Sequence, residues 1–193
     1  MQTLVINGSP RKNGDTEALV NAFISHLNGE IKTISCCSDI SPCIDCRYCW
    51  ENTGCALNDG MQEVYRFLET CDNIVLASPI WFSSLSGPLL NILSRVQAIW
   101  AASYFQKKNL LPKEKKGVII LAGAQPETKD IPTRTAISIM KYLNVHRPSV
   151  SIIYSLDTNH LPASQDELAL EKCREAADIL NTGEAPCAKS TLT

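Results

Sequence analysis

A doubly wound α/β sheet is the fold this sequence predicts, and three observations predict it. Apolar strand-like runs alternate with amphipathic helical patterns five times along the chain. Two of the runs, Asn73–Ser78 and Gly117–Leu121, are almost unbroken in apolar residues, as strands buried on both faces require. The chain also opens on a strand, Leu4-Val5-Ile6, that passes through a turn rich in Gly, Ser, Asn and Pro straight into a helix.

The elements follow in order. The first helix is read from Ala18, Leu19, Ala22, Phe23 and Leu27, which recur at three- and four-residue steps. Glu30–Ser35 alternates and forms a second strand. Residues 36–59 make a long irregular insert, a length that in a compact domain usually carries function. Asp59 is placed to cap a helix from Gly60 to about Cys71, with Met61, Val64, Phe67 and Leu68 on one face. The third strand is Asn73–Ser78, and Pro79–Gly87 is read as a loop. Ser86 caps a helix expected over Leu89–Tyr104. Lys113–Lys116 is a polar break before the strand Gly117–Leu121. A helix over Thr133–Leu143, a fifth strand Val150–Tyr154 and a helix over Ser164–Leu180 complete the pattern. This makes one domain over residues 1–180, with the insert at 36–59 and a flexible tail expected over 181–193.

Bulk properties narrow the function. The 193 residues carry a net charge of −2 without a basic block, so nucleic acid is not an expected partner. No apolar run approaches the length of a membrane span, and no charged leader or cleavage site precedes the first strand, so a cytoplasmic location is expected. Nine cysteines is a high and odd number, and six lie between Cys36 and Cys55. Without a leader, that crowding favours metal or redox work over a disulfide framework.

In a doubly wound sheet, ligands bind beyond the carboxyl ends of the strands. Three loops fall there: Asn7–Thr16, Pro79–Gly87 and Ala122–Glu127. The first reads Asn-Gly-Ser-Pro-Arg-Lys-Asn-Gly-Asp-Thr and ends at a helix N-terminus, where unpaired N–H groups and the helix dipole stabilise an anion. Walker A does not fit, since Asp15 precedes Thr16, and the dinucleotide fingerprint fails because Ser9-Pro10 follows Gly8. What remains is a loop able to close around a phosphate monoester, or a capped turn with two solvated basic residues. Trp81 and Phe82, on the second loop, suit the wall of a planar ligand and equally suit core packing.

The cysteine spacing is Cys43-x2-Cys46-x2-Cys49-x5-Cys55. Three thiolates two residues apart can wrap a corner of an iron–sulfur cubane, and Cys55 can close it. Zinc and an empty loop are the competing readings, zinc being less suited because structural zinc sites usually pair two separated knuckles. Cys36 and Cys37 are spare thiols at a strand end, Cys71 and Cys173 fit the core, and Cys187 lies in the tail. His26, His146 and His160 are widely separated, so no catalytic acid–base set is assigned.

Taken together, Gly8–Thr16, Ser78–Ser86 and the cysteine loop resemble the flavodoxin-like NAD(P)H-dependent FMN reductases, and among them the iron–sulfur flavoproteins. The resemblance is good over about residues 1–125. It implies a five-stranded parallel sheet in the order 2-1-3-4-5 with helices on both faces. It implies FMN as cofactor, its phosphate held by Ser9, Arg11, Asn13 and Thr16. The isoalloxazine would be lined by Pro79, Ile80, Trp81, Phe82 and Ser84, with Gly123 on the third loop. It implies NAD(P)H as co-substrate, a [4Fe–4S] cluster on Cys43, Cys46, Cys49 and Cys55, and a homodimer or homotetramer. The chain departs from the family at Asp15, where Asn is frequent, and at Ser94-Arg95, where Asp-Arg is frequent. Two functions are expected from this: a reductase passing electrons to a small acceptor, or an electron carrier using FMN and a cluster with a ferredoxin-like partner. A module that only binds phosphorylated ligands is the third and weaker reading.

Overall fold

The computed structural model describes residues 1–182. Its strands are β1 (Gln2–Asn7), β2 (Glu30–Ser35), β3 (Asn73–Trp81), β4 (Ser84–Leu85), β5 (Lys115–Ala122) and β6 (Val145–Ser155). Its helices are α1 (Asp15–Ile24), α2 (Tyr48–Glu51), α3 (Met61–Thr70), α4 (Gly87–Leu93), α5 (Gln97–Tyr104), α6 (Asp130–Tyr142) and α7 (Glu167–Thr182). The five long strands are parallel in the order β2-β1-β3-β5-β6, and β4 pairs antiparallel with the end of β3. Without that two-residue strand, this is the expected 2-1-3-4-5 order.

Strand alternation divides the core in two. Leu4, Ile6, Ile74, Leu76, Ile119 and Leu121 face one layer, built from α3, α4, α5 and α6. Val5, Val75, Ala77, Val118, Ile120 and Ala122 face the other, where α1 brings Leu19, Val20 and Phe23 and α7 brings Ala169, Cys173, Ala176 and Ala177. Burying both faces of the central strands explains why their sequences read as nearly continuous apolar runs. Cys71 and Cys173 are fully buried, as core residues.

Several boundaries differ from the sequence reading, among them β6, which starts at Val145 rather than Val150. The third strand continues through Pro79 to Trp81 because it turns back as a hairpin, where a loop is expected. The helix expected over Leu89–Tyr104 is broken by a 3-10 turn at Ser94–Val96, where the Ser94 hydroxyl donates to the Asn91 carbonyl at 2.6 Å. Lys115, in the expected polar break, starts β5 with its ammonium donating to the Lys113 carbonyl at 2.8 Å. The last helix begins at Glu167 after a 3-10 turn at Ala163–Gln165 and runs to Thr182. Within it, Asn181 accepts from the Asn28 N–H and donates to the His26 carbonyl. The expected flexible tail, with Cys187, lies from residue 183 onward outside the described residues.

The chain turns one way from β1 to β2 and the other way to β3. The crevice beyond the carboxyl ends of β1 and β3 is therefore the switch point of the sheet.

Candidate functional site

β1 ends at Asn7, whose side-chain oxygen accepts from the Ser9 N–H at 3.0 Å and folds the chain over. The Ser9 hydroxyl accepts from the Arg11 N–H and donates to the Arg11 carbonyl, each at 3.3 Å. Asn13 sits at φ 56°, a conformation Asn adopts more readily than most residues. Its N–H donates to the Glu17 carboxylate, which reaches back from the first turn of α1. Gly14 caps α1 without a side-chain hydrogen bond. The first turn therefore keeps donors free for a ligand oxyanion, beside the Thr16 and Ser9 hydroxyls and the exposed Arg11 guanidinium. Asp15 also lines the cleft; one carboxylate oxygen accepts from the Ala163 N–H at 3.0 Å, and the other lies 3.8 Å from Arg11.

The opposite wall comes from the end of β3. Phe82 and Ser83 hold φ values of 49° and 55° as the two central residues of a hairpin in which Trp81 pairs with Ser84 and Ile80 with Leu85. Glycine and Asn are the usual occupants of such positions, so the backbone here carries strain. Ser86 ties this hairpin to the loop after β1. Its N–H donates to Ser78 Oγ at 2.9 Å, and its hydroxyl donates to the Gly8 carbonyl at 2.7 Å. On the third loop, Gly123 packs under Ile80, which a Cβ there would approach to 3.2 Å.

These elements enclose a cleft of ≈ 320 Å³, within the range of small-ligand sites. Ser9, Arg11, Thr16, Pro79, Ile80, Trp81 and Gly123 all line it. Asn13, Phe82 and Ser84 do not: Asn13 shapes the turn, Phe82 projects fully into solvent and Ser84 belongs to the hairpin. Thr158, from the loop after β6, also lines the cleft and escaped the sequence reading. Its N–H donates to the Gly123 carbonyl at 3.1 Å, a link only the strand order could have suggested. The donor set fits FMN. One end offers a bare helix N-terminus, hydroxyls and a guanidinium, and the other offers an aromatic ring, a proline and apolar side chains.

The cysteine loop is fixed from several sides. The Cys43 N–H donates to Ser94 Oγ at 2.9 Å, so the serine at this departure position holds the first cysteine. Gln106 donates to the Cys49 and Asn52 carbonyls, and Gln62 to the Cys55 and Leu57 carbonyls. Trp50 stacks on Phe105 with ring centroids 4.5 Å apart. Cys43, Cys46, Cys49 and Cys55 line one small hollow together with Arg95. Burial pushes the Cys49 thiol up from its usual range, and the neighbouring Cys55, Cys43 and Cys46 add to the effect. Among the described residues, no group of three or more His, Cys, Asp or Glu side chains converges on a single metal-ion position.

Arg95 is buried and forks onto Asp59, Nη1 to Oδ2 at 2.7 Å and Nη2 to Oδ1 at 3.2 Å. Nη1 also donates to the Ser41 carbonyl at 2.8 Å, so the arginine clamps both ends of the cysteine loop. Asp59 accepts in addition from the N–H groups of Ser41 and Met61. Burial acts to raise the Asp59 carboxyl, but these bonds, Arg95's first, outweigh it and hold the group below the usual carboxylate range. No local pattern in the sequence pairs residues 59 and 95.

Comparison with known proteins places these features in context. The profile of the family described as NADPH-dependent FMN reductase matches residues 1–152. An iron–sulfur flavoprotein of Methanosarcina thermophila is 24% identical over 190 residues, covering 93% of each chain. One from Methanocaldococcus jannaschii is 31% identical over 128 residues, 64% of this chain and 63% of that relative. Among solved structures, an NAD(P)H:quinone oxidoreductase from Methanothermobacter marburgensis superposes with a TM-score of 0.72 at 17% identity, covering 94% of this chain and 97% of that one. An FMN-dependent NADH-azoreductase from Bacillus anthracis, in complex with FMN, gives 0.67 at 17% identity, covering 93% and 99%. Among the described residues, no helix is long and apolar enough to cross a membrane.

Proposed function

The chain belongs to the NADPH-dependent FMN reductase family, whose members are flavin-dependent NAD(P)H oxidoreductases, and from that premise we propose that it binds FMN in the cleft at the β1/β3 switch point and reduces a small acceptor with electrons from NADH or NADPH. One observation carries the reading: seven residues assigned from the sequence to opposite ends of a flavin line a single cleft. Bound FMN would supply hydride-accepting redox chemistry that can pass electrons on in pairs or singly. The protein's part is placement. The α1 N-terminus, Ser9, Thr16 and Arg11 would hold the phosphate, while Asp15, which also lines the cleft, has one carboxylate oxygen engaged by the Ala163 N–H. Pro79, Ile80 and Trp81 give the ring an apolar wall that limits water, and Gly123 lets Ile80 sit close.

Substituting Arg11 tests the orientation. A hydrogen bond to a charged group contributes about 1.5–3 kcal/mol, roughly ten- to hundredfold in affinity. Arg11→Ala is expected to weaken FMN by about that factor and leave riboflavin binding as it was, measured by flavin fluorescence titration. An unchanged FMN Kd would remove Arg11 from the phosphate site.

A second reading has its own observation. Cys43, Cys46, Cys49 and Cys55 line one hollow, a set of thiol ligands of the kind that holds an iron–sulfur cluster. The names of the iron–sulfur flavoprotein relatives support it. In that case FMN and a [4Fe–4S] cluster serve an electron carrier with a ferredoxin-like partner. Anaerobic reconstitution tests this reading. About four iron and four sulfide per chain are expected, lost in Cys46→Ser while FMN binding is kept.

A further inference from the structure

Among the described residues, the buried side-chain nitrogen or oxygen atoms without a hydrogen-bond partner are Arg95 Nε and Ser155 Oγ. The first is notable because every other part of that guanidinium is engaged. Nη1 donates to Ser41 and Asp59, and Nη2 to Asp59 and, at 3.4 Å, to the Leu57 carbonyl. The side chain has no solvent exposure, so bulk water does not reach Nε, and a buried donor left unpaired is destabilising. Arg95 lines the same hollow as Cys43, Cys46, Cys49 and Cys55. An arginine with an orphaned donor and a fixed positive charge therefore belongs to the wall of the hollow that the four cysteines line.

We propose that Arg95 is a positioning residue for the iron–sulfur group of the cysteine loop, its Nε–H donating to a sulfur of that group and its charge favouring the reduced form. The inference rests on the cluster reading of the loop. Asp59 holds the Nη side of the guanidinium in a two-point fork, which fixes the plane of this planar group and with it the direction of the Nε–H. Adding an electron at the hollow adds negative charge, and a hydrogen bond to sulfur together with a nearby cation stabilises that charge. The remaining cation lining the hollow, Arg47, is instead exposed and lies over the Trp50 ring at 4.8 Å.

The test uses full-length protein, reconstituted anaerobically with iron and sulfide and loaded with FMN. Protein labelled with 15N-arginine is fully reduced and studied by pulsed electron paramagnetic resonance. A 15N coupling to the cluster is expected in the wild type and in Arg47→Lys. Arg95→Lys, which keeps a charge but has no donor at Nε, is expected to hold the same iron with the coupling gone and the cluster midpoint potential shifted negative. Asp59→Asn, which loosens the fork and keeps the Nε–H, is expected to show no negative shift. A cluster-loaded wild type without arginine coupling overturns the assignment, as does a coupling that vanishes in Arg47→Lys. Equal negative shifts in Arg95→Lys and Asp59→Asn overturn it too, since loop packing alone would then be responsible. If Arg95→Lys fails to fold, the wild type and Arg47→Lys decide. A wild type that takes up no iron overturns the cluster reading, and this proposal with it, which is a different result from iron without coupling.

Discussion

Trp81 is 43% exposed, unusual for a large apolar side chain set at the end of a buried strand. Its exposed face borders the cleft, so flavin contact and structural packing can be separated by substitution. Trp81→Ala is expected to weaken FMN and riboflavin together, by about tenfold, and to shift the bound-flavin spectrum, while the apo-protein melts nearly as before. Normal flavin affinity with a lowered melting temperature would return Trp81 to the core. Seven of the ten flavin-contact residues assigned from the sequence meet in the cleft, because a strand–turn–helix motif advertises Ser9, Arg11 and Thr16 through their types and order. Asn13 and Phe82 were less legible. Their positive φ values aim the side chains, and backbone handedness leaves little trace where the residues are not glycine. The Asp59–Arg95 fork was illegible for another reason: it joins residues 36 apart through the tertiary fold, and each looks ordinary in its own helix context.

At the scale of elements, the cleft exists because loops from different strands are bolted together. Gly8 closes β1 against the start of α4, where a Cβ would stand 2.5 Å from Leu89 Cβ and 2.9 Å from Ser86 Oγ. Its N–H donates to the Ala77 carbonyl of β3 at 2.8 Å. Gly8→Ala is therefore expected to destabilise the protein by about 1–3 kcal/mol, as overpacking does, and to weaken FMN as well, since the loop after β1 and the hairpin would be pushed apart. Chemical denaturation and flavin titration check this together, and unchanged stability would mean that the contact relaxes freely. The strand–helix alternation was legible because its periodicity is strong. The β3–β4 hairpin was not, since Pro79 and the Phe82-Ser83 pair carry none of the usual Asn-Gly turn signal.

Across the whole molecule, one sheet carries two centres: the cleft at the switch point, proposed to hold flavin, and the cysteine hollow clamped by Arg95. The clamp makes stability depend on pH. The Asp59 carboxyl is held below its unfolded value, so its contribution is complete above the ordinary carboxylate range, about pH 4, and is lost as pH falls through the depressed value. The melting temperature of apo wild type is expected to exceed that of Asp59→Asn at neutral pH, with the gap closing in acid. A gap independent of pH would show that the fork's charge is not what stabilises. The central claim, a flavin cleft that accepts electrons from a nicotinamide, is tested most directly by mixing FMN-loaded protein with NADPH or NADH without oxygen and following the visible flavin absorption. The account predicts bleaching by at least one of the two, with one nicotinamide oxidised per flavin. Flavin that dithionite bleaches and neither nicotinamide does would contradict it.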